Sequence, residues 1–564
     1  MSTGVSGTLV TRKYGNFRGV DFSNRKDEVS YVRLPDALNV WKNYKNNTGK
    51  AIETRPGIDL VKEFTETIFG LYFFNYNGET HRIVHDKNKL YDNDNVIYSN
   101  MAEHKSQAFI YNSKLYIKDG TSYMVYDGES LSTVVGYVPT TTMSKTPNGG
   151  GATYEDVNLL TGVRKNSFVS DGVSTEYFVD SESFDADYPV KVWVNGKELT
   201  SGFTVDASVG KITFTTAPSE PDTVGRDNVV IQFKKTIEGY RDKIDKCTLV
   251  EIFDNRVFFA GNPDYPNMLW HCSLEDPTYC SDLDYYTEGN DDSKIMALIS
   301  GNNALWVATS NSTYYHTPTI DDTLGKVYPS THSSIHLGCV STGINFLDDI
   351  TFFSERGLEG ISSDVTTEQF ASHRSSLVDS RLLNESEYKN LIIEEYQGYL
   401  LVATGNNIYL ADSRSKTTIN DHWEYEWWFW SFDKKITGLK VHNEVLYIVM
   451  DKEIYSLTND SENREVEAHF TTKDDEFNYP QYQKTSNKKG AVIDIEGNNI
   501  SVYAKVDNGN YELINQYKET KGYIVPRIKK KKWKSISLKF YSTQPFELYS
   551  ATLEAYIGSY MKRG

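Results

Sequence analysis

The stretch YLLVATGNNIYLAD, Tyr399 to Asp412, decides the fold, because it reads as an apolar strand, a Gly-Asn turn and a second strand carrying Tyr. Three close copies of this hairpin pattern occur elsewhere: KLYIKDGTSYMVYD from Lys114, ALWVATSNSTYYHT from Ala304 and VLYIVMDKEIYSLT from Val445. Looser copies are GLYFFNYNGETHRIV at Leu71, RVFFAGNPDYPNMLW at Val257 and DITFFSERGLEGIS at Ile350. With Leu71, Leu115, Val257, Leu305, Ile350, Leu400 and Leu446 as anchors, every interval lies between 44 and 50 residues except one of 142. Four strands of five or six residues with their turns use about 45 residues, so each repeat predicts one propeller blade. A single blade cannot bury both of its faces, and radial packing against neighbours does so. The expected fold is all-β, a six- to seven-bladed β-propeller.

The long interval calls for an insertion. From Thr153 to Lys235 the register changes to short alternating strands, Val190–Val194, Lys211–Thr215 and Val229–Phe233, with an Asn195-Gly196 hairpin turn. This predicts a small inserted β-sandwich over 153–236, splitting the propeller into 63–152 and 237–463. After the polar stretch Thr458 to Asn463, the runs GAVIDIE, NISVYAKVDNGNYELI, SISLKFYS and FELYSATLEAYIG predict a C-terminal β-sandwich over 464–564. Its expected core is Ile493, Ile495, Val502, Ile536, Leu538, Phe540, Leu548 and Leu553. Residues 1–62 show no strong periodicity and are expected to form an extended arm that meets a partner.

Composition narrows the function. The 564 residues carry 59 Lys and Arg against 77 Asp and Glu, a formal charge of −18, which excludes tight wrapping of nucleic acid by the whole chain. The one compact basic run, Lys529, Lys530, Lys531 and Lys532, is a candidate contact for phosphates or an acidic partner, or a solvated strand edge. Residues 1–10 have neither a basic nor an apolar leader region, and no run approaches a membrane span, so synthesis in a cytoplasm without stable membrane insertion is expected. Cys247, Cys272, Cys280 and Cys339 lack secreted-scaffold spacing and are expected as reduced thiols.

No catalytic set emerges. There is no G-x-S-x-G elbow, P-loop or dinucleotide fingerprint. Carboxylate pairs at Asp291-Asp292, Asp321-Asp322, Asp348-Asp349 and Glu394-Glu395 read as solvated loops or rims. His271, Cys272 and Cys280 lack the paired spacing of a zinc site, Asp92 and Asp94 are too few for calcium, and Cys339 near His336 has no orienting partner. No enzyme, metal or cofactor is expected. The stretch HWEYEWWFW holds Trp423, Trp427, Trp428 and Trp430, readable as an aromatic platform for a glycan or as a strand buried on both faces.

Several stretches resemble the nozzle, or tubular tail protein B, family of short-tailed bacteriophages. The opening YGNFRGVDFSN, LPDALNVWKNY and ETRPGIDL is similar to that family's start, through Pro35, Asp36, Ala37, Asn39, Arg55, Pro56 and Gly57. RVFFAGNPDYPNMLWHCSLEDPTYC looks like one of its blades, through Gly261, Asn262, Pro263, Pro266, Asn267, Ser273, Asp276 and Pro277. HLGCVSTGINFLDDITFFSERGLEGI, with Gly338 to Val340 and the Arg356-Gly357 turn, and the ending LEAYIGSYMKRG are similar too. The resemblance implies a structural protein of the virion tail: a homohexameric ring docked on an adaptor ring, with fibres or spikes outside and genome DNA passing through its lumen. Carboxylates lining such a duct would repel phosphates and avoid sticking sites. The competing expectation is a tail propeller that binds or cleaves surface glycans at the host, through the tryptophan stretch.

Overall fold

The computed structural model describes residues 7–45, 49–322, 325–363, 369–419, 422–458 and 465–560. Residues 459–463 of the polar stretch and 561–564 of the closing run lie outside them. The chain is an all-β propeller with two additional β modules. Among the described residues, seven antiparallel blades of four strands begin at Ile68, Gln107, Leu249, Ile295, Gly343, Ile392 and Gly438, six as separate sheets and the one at Ile392 as part of a 17-stranded sheet. In all but the first blade, the second strand is the apolar run of the hairpin repeat. Ala304–Thr309 and Tyr399–Thr404 are buried at every residue, as inner strands covered on both faces must be.

Each blade enters its second strand through a tight turn with two successive positive φ angles: Asn77-Gly78, Asn112-Ser113, Asp254-Asn255, Asn302-Asn303, Leu347-Asp348, Gln397-Gly398 and Asn443-Glu444. Paired left-handed residues match the right-handed strand twist of a two-residue hairpin. Asn, Asp and Gly adopt them readily, and Leu347 does so at a steric cost. The Leu71 copy is this first hairpin of its blade, Ile68–Tyr76 with Glu79–Asp86, whereas the other six copies follow the second strand.

The chain divides into two compact units, residues 74–336 and residues 1–73 with 337–564. In the first, the insertion is a six-stranded sheet and a three-stranded sheet around Phe168, Tyr177, Val192, Ile212, Ile231 and Phe233. Its larger sheet starts ahead of the expected Thr153, because Thr140–Lys145 pairs in parallel with Val163–Phe168. The intervening loop serves another core: Leu159 and Leu160 pack with Val134, Ile244, Cys247 and Trp270.

In the second unit, all eight residues expected for the C-terminal core are buried. The opening residues differ from an extended arm. Leu9–Tyr14 pairs with the last long strand, Phe546–Tyr560, and Asp36–Leu38 pairs with Ala468–Thr471. Gly57–Glu63 is the fourth strand of the seventh blade, laid against Glu453–Thr458. Tyr14, Phe17, Val20, Leu34, Val40, Trp41 and Ile52 are buried. Strands of two to seven residues broken by Gly and Asn are too short to show a period, which is why this segment reads as an arm.

Candidate functional site

The residues that carry the family resemblance at the start of the chain converge in space. Asn39 sits at φ 55, where its side-chain oxygen accepts Arg55 Nε at 2.9 Å and the backbone N–H of Ser431 at 2.9 Å. Its amide nitrogen donates to Glu467 O at 2.8 Å. Arg55 also donates to Pro56 O at 2.9 Å and Ser431 O at 3.3 Å, and its guanidinium lies 4.2 Å from the Phe432 ring centre. These three acceptors are neutral. Burial pulls Arg55 down to about 10, against the pull of Asp433.

Three residues before Asn39, Asp36 faces Arg381 at 3.2 Å and His469 at 3.6 Å. Burial alone would raise its carboxyl, but hydrogen bonds and charge interactions with His469 and Arg381 hold it at about 2. Asn39 and Arg55 border a cavity of about 990 Å³ that Gly57, Asn406, Phe432, Asp433 and Tyr455 also line. The motif is therefore a polar clasp that joins the opening segment, the sixth and seventh blades and the C-terminal module.

The tryptophan stretch is the strand His422–Ser431, fourth in the sixth blade. Trp427, Trp428 and Trp430 are fully buried, so they offer no platform to a glycan. Strand alternation sends them to both faces, and both faces are covered: Trp430 packs edge-on against Trp41, and Trp427 Nε1 donates to Arg374 O at 3.1 Å. Trp423 is half-buried, with Arg374 3.6 Å and Lys416 Nζ 3.9 Å from its ring centre. Cations over an indole are an internal contact here.

The basic run lies on Lys531–Trp533 and the residues before it, at a sheet margin paired to Tyr482–Ser486. Lys529, Lys531 and Lys532 are exposed, and Lys530 pairs with Glu512. Trp533 beneath them is buried.

The remaining titratable clusters are internal supports. Asp349 holds Arg374 at 3.1 Å and accepts the Tyr425 hydroxyl at 2.9 Å, and Glu394 faces Lys440 at 3.5 Å. Asp291, Asp292, Asp321 and Asp348 are exposed. His81 and Tyr126 engage Asp92, while Asp94 faces Arg82. Burial pushes the Cys339 thiol up to about 12, away from the range of a nucleophile. Cys272 and Cys280, expected as reduced thiols, are joined as a buried disulfide across an eight-residue separation. Eight residues fold back here because Ser273 and Asp276 bridge as a tight turn, a pairing that spacing alone does not reveal. Burial pushes the neighbouring His271 down to about 4. Among the described residues no three His, Cys, Asp or Glu groups converge to hold a metal.

The Arg356-Gly357 turn has a steric explanation. Gly357 has φ 130, and a Cβ there would sit 2.4 Å from Ser375 Oγ and 2.6 Å from Asp379 Oδ1. That space belongs to His373, which lies between Glu359 at 3.0 Å and Asp379 at 2.6 Å. Burial disfavours its charge, but the two carboxylates raise it to about 10, so it is an imidazolium.

No protein-family model matches the chain, and no curated protein matches it. Among solved structures, it is similar to BamB from Moraxella catarrhalis at 11% identity and a TM-score of 0.31, covering 72% of this chain and 100% of that one. It is similar to apo AztD from Citrobacter koseri at 8% identity and a TM-score of 0.30, over 82% and 92% of the two chains. PorZ of Porphyromonas gingivalis, a surface component of a type-IX secretion system, gives 12% identity and a TM-score of 0.27 over 93% and 68%.

Proposed function

We propose that this protein is a structural component of a short phage tail, a homohexameric nozzle ring through which genome DNA leaves the virion. The observation that supports the reading is the clasp of Asp36, Asn39 and Arg55. The residues through which the opening resembles the nozzle family are those that bind the first strands, the last blades and the C-terminal module together. In this reading the ring docks on the adaptor below the portal, carries fibres or spikes outside and resides in the virion. In this reading part of the chain's charge of −18 lies within about 8 Å of passing DNA, the distance over which carboxylates repel phosphates at physiological salt.

The glycan-binding alternative loses its proposed contact, because three of its four tryptophans are core. The mass of the native protein by light scattering, alone and with the adaptor-ring protein of the same genome, tests the proposal. A six-fold assembly in either condition is the expected result. A single chain that ignores the adaptor would refute it.

A further inference from the structure

Two surfaces outside the clasp carry opposite charge, and each adds exposed apolar side chains. The first spans residues 135–158 and 278–285, whose backbones are knitted together. Tyr137 N donates to Thr278 O at 3.0 Å, Asn158 Nδ2 donates to both Tyr137 O and Thr278 O, and Asp282 N donates to Val157 O at 2.9 Å. From this frame Val135 projects 80% exposed and Leu283 67%, with Tyr137 and Tyr285 beside them. Isolated exposed apolar residues are ordinary, but a group held on one frame marks a contact surface.

Asp156, Asp282 and Asp284 lie within this group. Among the described residues none of them pairs with Lys or Arg at ion-pair distance. Asp156 accepts Ser281 Oγ at 3.3 Å, Asp282 accepts Tyr240 Oη at 3.2 Å, and Asp284 is 4.0 Å from a neutral His271. Burial raises Asp284 to about 6, and the charges of Asp156 and Asp282 add to that against Arg256.

The second surface follows the long strand Glu512–Ile524. Tyr523 is 74% exposed and Val525 50%. A few residues on stand Lys529, Lys531 and Lys532, exposed and without an acidic partner among the described residues, while Lys530 and Lys534 are taken by Glu512 and Glu476. The run is fixed in place, since Ser486 N donates to Lys530 O at 2.9 Å and Trp533 is buried below it.

We propose that these are the two halves of one self-contact: Tyr523, Val525, Lys529, Lys531 and Lys532 of one copy seat on the apolar group and three carboxylates of a second copy. Three unpaired cations meet three unpaired carboxylates, and apolar side chains meet apolar side chains. The halves are different surfaces of the same chain, so the contact is head-to-tail, and such contacts close into rings or run on as filaments. The inference deepens the ring reading above and rests on it for closure.

Two full-length variants test it. Asp156→Lys/Asp282→Lys/Asp284→Lys makes both surfaces basic, and Lys529→Glu/Lys531→Glu/Lys532→Glu makes both acidic. At a concentration where the unmodified protein assembles, light scattering is expected to show each variant at the mass of a single chain. Their equimolar mixture is expected to regain the assembled mass, because every contact then joins opposite charges. Assembly of the lysine-run variant alone, or a mixture of folded variants that stays dispersed, would overturn the inference and leave the ring standing. An unmodified protein that stays a single chain, alone and with the adaptor, would overturn both. Among the described residues the side chains of the three lysines make no ion pair or hydrogen bond, so their reversal reads assembly even where the carboxylate variant does not fold. Raising salt toward 1 M, where screening acts within about 3 Å, is expected to weaken the unmodified assembly.

Discussion

Tyr14 donates its hydroxyl to Asp475 Oδ2 at 2.8 Å, and Arg12 Nε reaches the same oxygen at 2.8 Å. One buried carboxylate thus anchors the first strand to the C-terminal module. Tyr14→Phe removes one neutral-to-charged bond and is expected to cost about 1.5–3 kcal/mol. Asp475→Ala leaves the buried Tyr14 hydroxyl without its acceptor and the Arg12 charge without its counterion, and is expected to cost more. Urea unfolding of the two variants checks the order.

Arg55→Lys is expected to destabilise by about 2–4 kcal/mol although the charge is kept. A lysine ammonium cannot present donors in a plane to Asn39 Oδ1, Pro56 O and Ser431 O together. Loss of the Phe432 stacking adds to the cost. Unfolding midpoints at fixed protein concentration measure it, since any self-assembly would otherwise shift them.

Lys484 is a buried hub. Its ammonium donates to Tyr479 O, Tyr482 O and Lys534 O at 2.7 to 3.0 Å, using all three protons. Lys484→Met keeps the volume and removes a donor from three carbonyls, of which Tyr479 O retains the Tyr482 N–H, and is expected to cost about 2–4 kcal/mol. Thermal unfolding with a far-ultraviolet β signal reads the loss.

His373 gives a pH signature. Its folded value is raised to about 10 from an ordinary 6.5, so the stability it contributes is fully present below about 6.5. That contribution is lost as pH rises through about 10. Unfolding free energy measured from pH 6 to 10 is expected to fall, and His373→Gln is expected to flatten the slope.

Trp430→Ala is expected to cost about 3–5 kcal/mol, as a core deletion does, and to leave glycan titrations unchanged. Blue-shifted emission poorly quenched by acrylamide is the matching spectroscopic result. Removal of 153–236 is expected to destabilise the adjacent blade, because it takes Leu159 and Leu160 from the core around Ile244 and Trp270. Removal of 164–234 spares both leucines and is expected to melt closer to the intact chain.

Where a strand is covered on both faces, its sequence advertises it. YLLVAT and ALWVAT are continuous apolar runs, and the blade repeat followed from them. The better marker, the left-handed pair before each second strand, is spelled NG, NS, DN, NN, LD, QG and NE, and only some of these spell a turn by composition. The roles of the short opening strands were hidden because their partners lie hundreds of residues away, at 427, 453–458 and 546–560. At the clasp, Asn39 and Arg55 were legible as a motif, whereas their mutual hydrogen bond depends on two loops meeting in space. The tryptophans left two readings open, and burial decided between them.

The strand Gly57–Glu63 also imposes an order in time. Its partner Glu453–Thr458 leaves the ribosome nearly 400 residues later. At about 5–20 residues per second, that delay is roughly 20 to 80 s. Through the whole interval the start of the chain waits without its hydrogen-bonding partner, and a chain that terminates early never acquires one. Such a chain keeps a bare β edge, which favours aggregation or proteolysis over incorporation into an assembly. The topology thus makes translation past residue 458 a condition for a finished seventh blade.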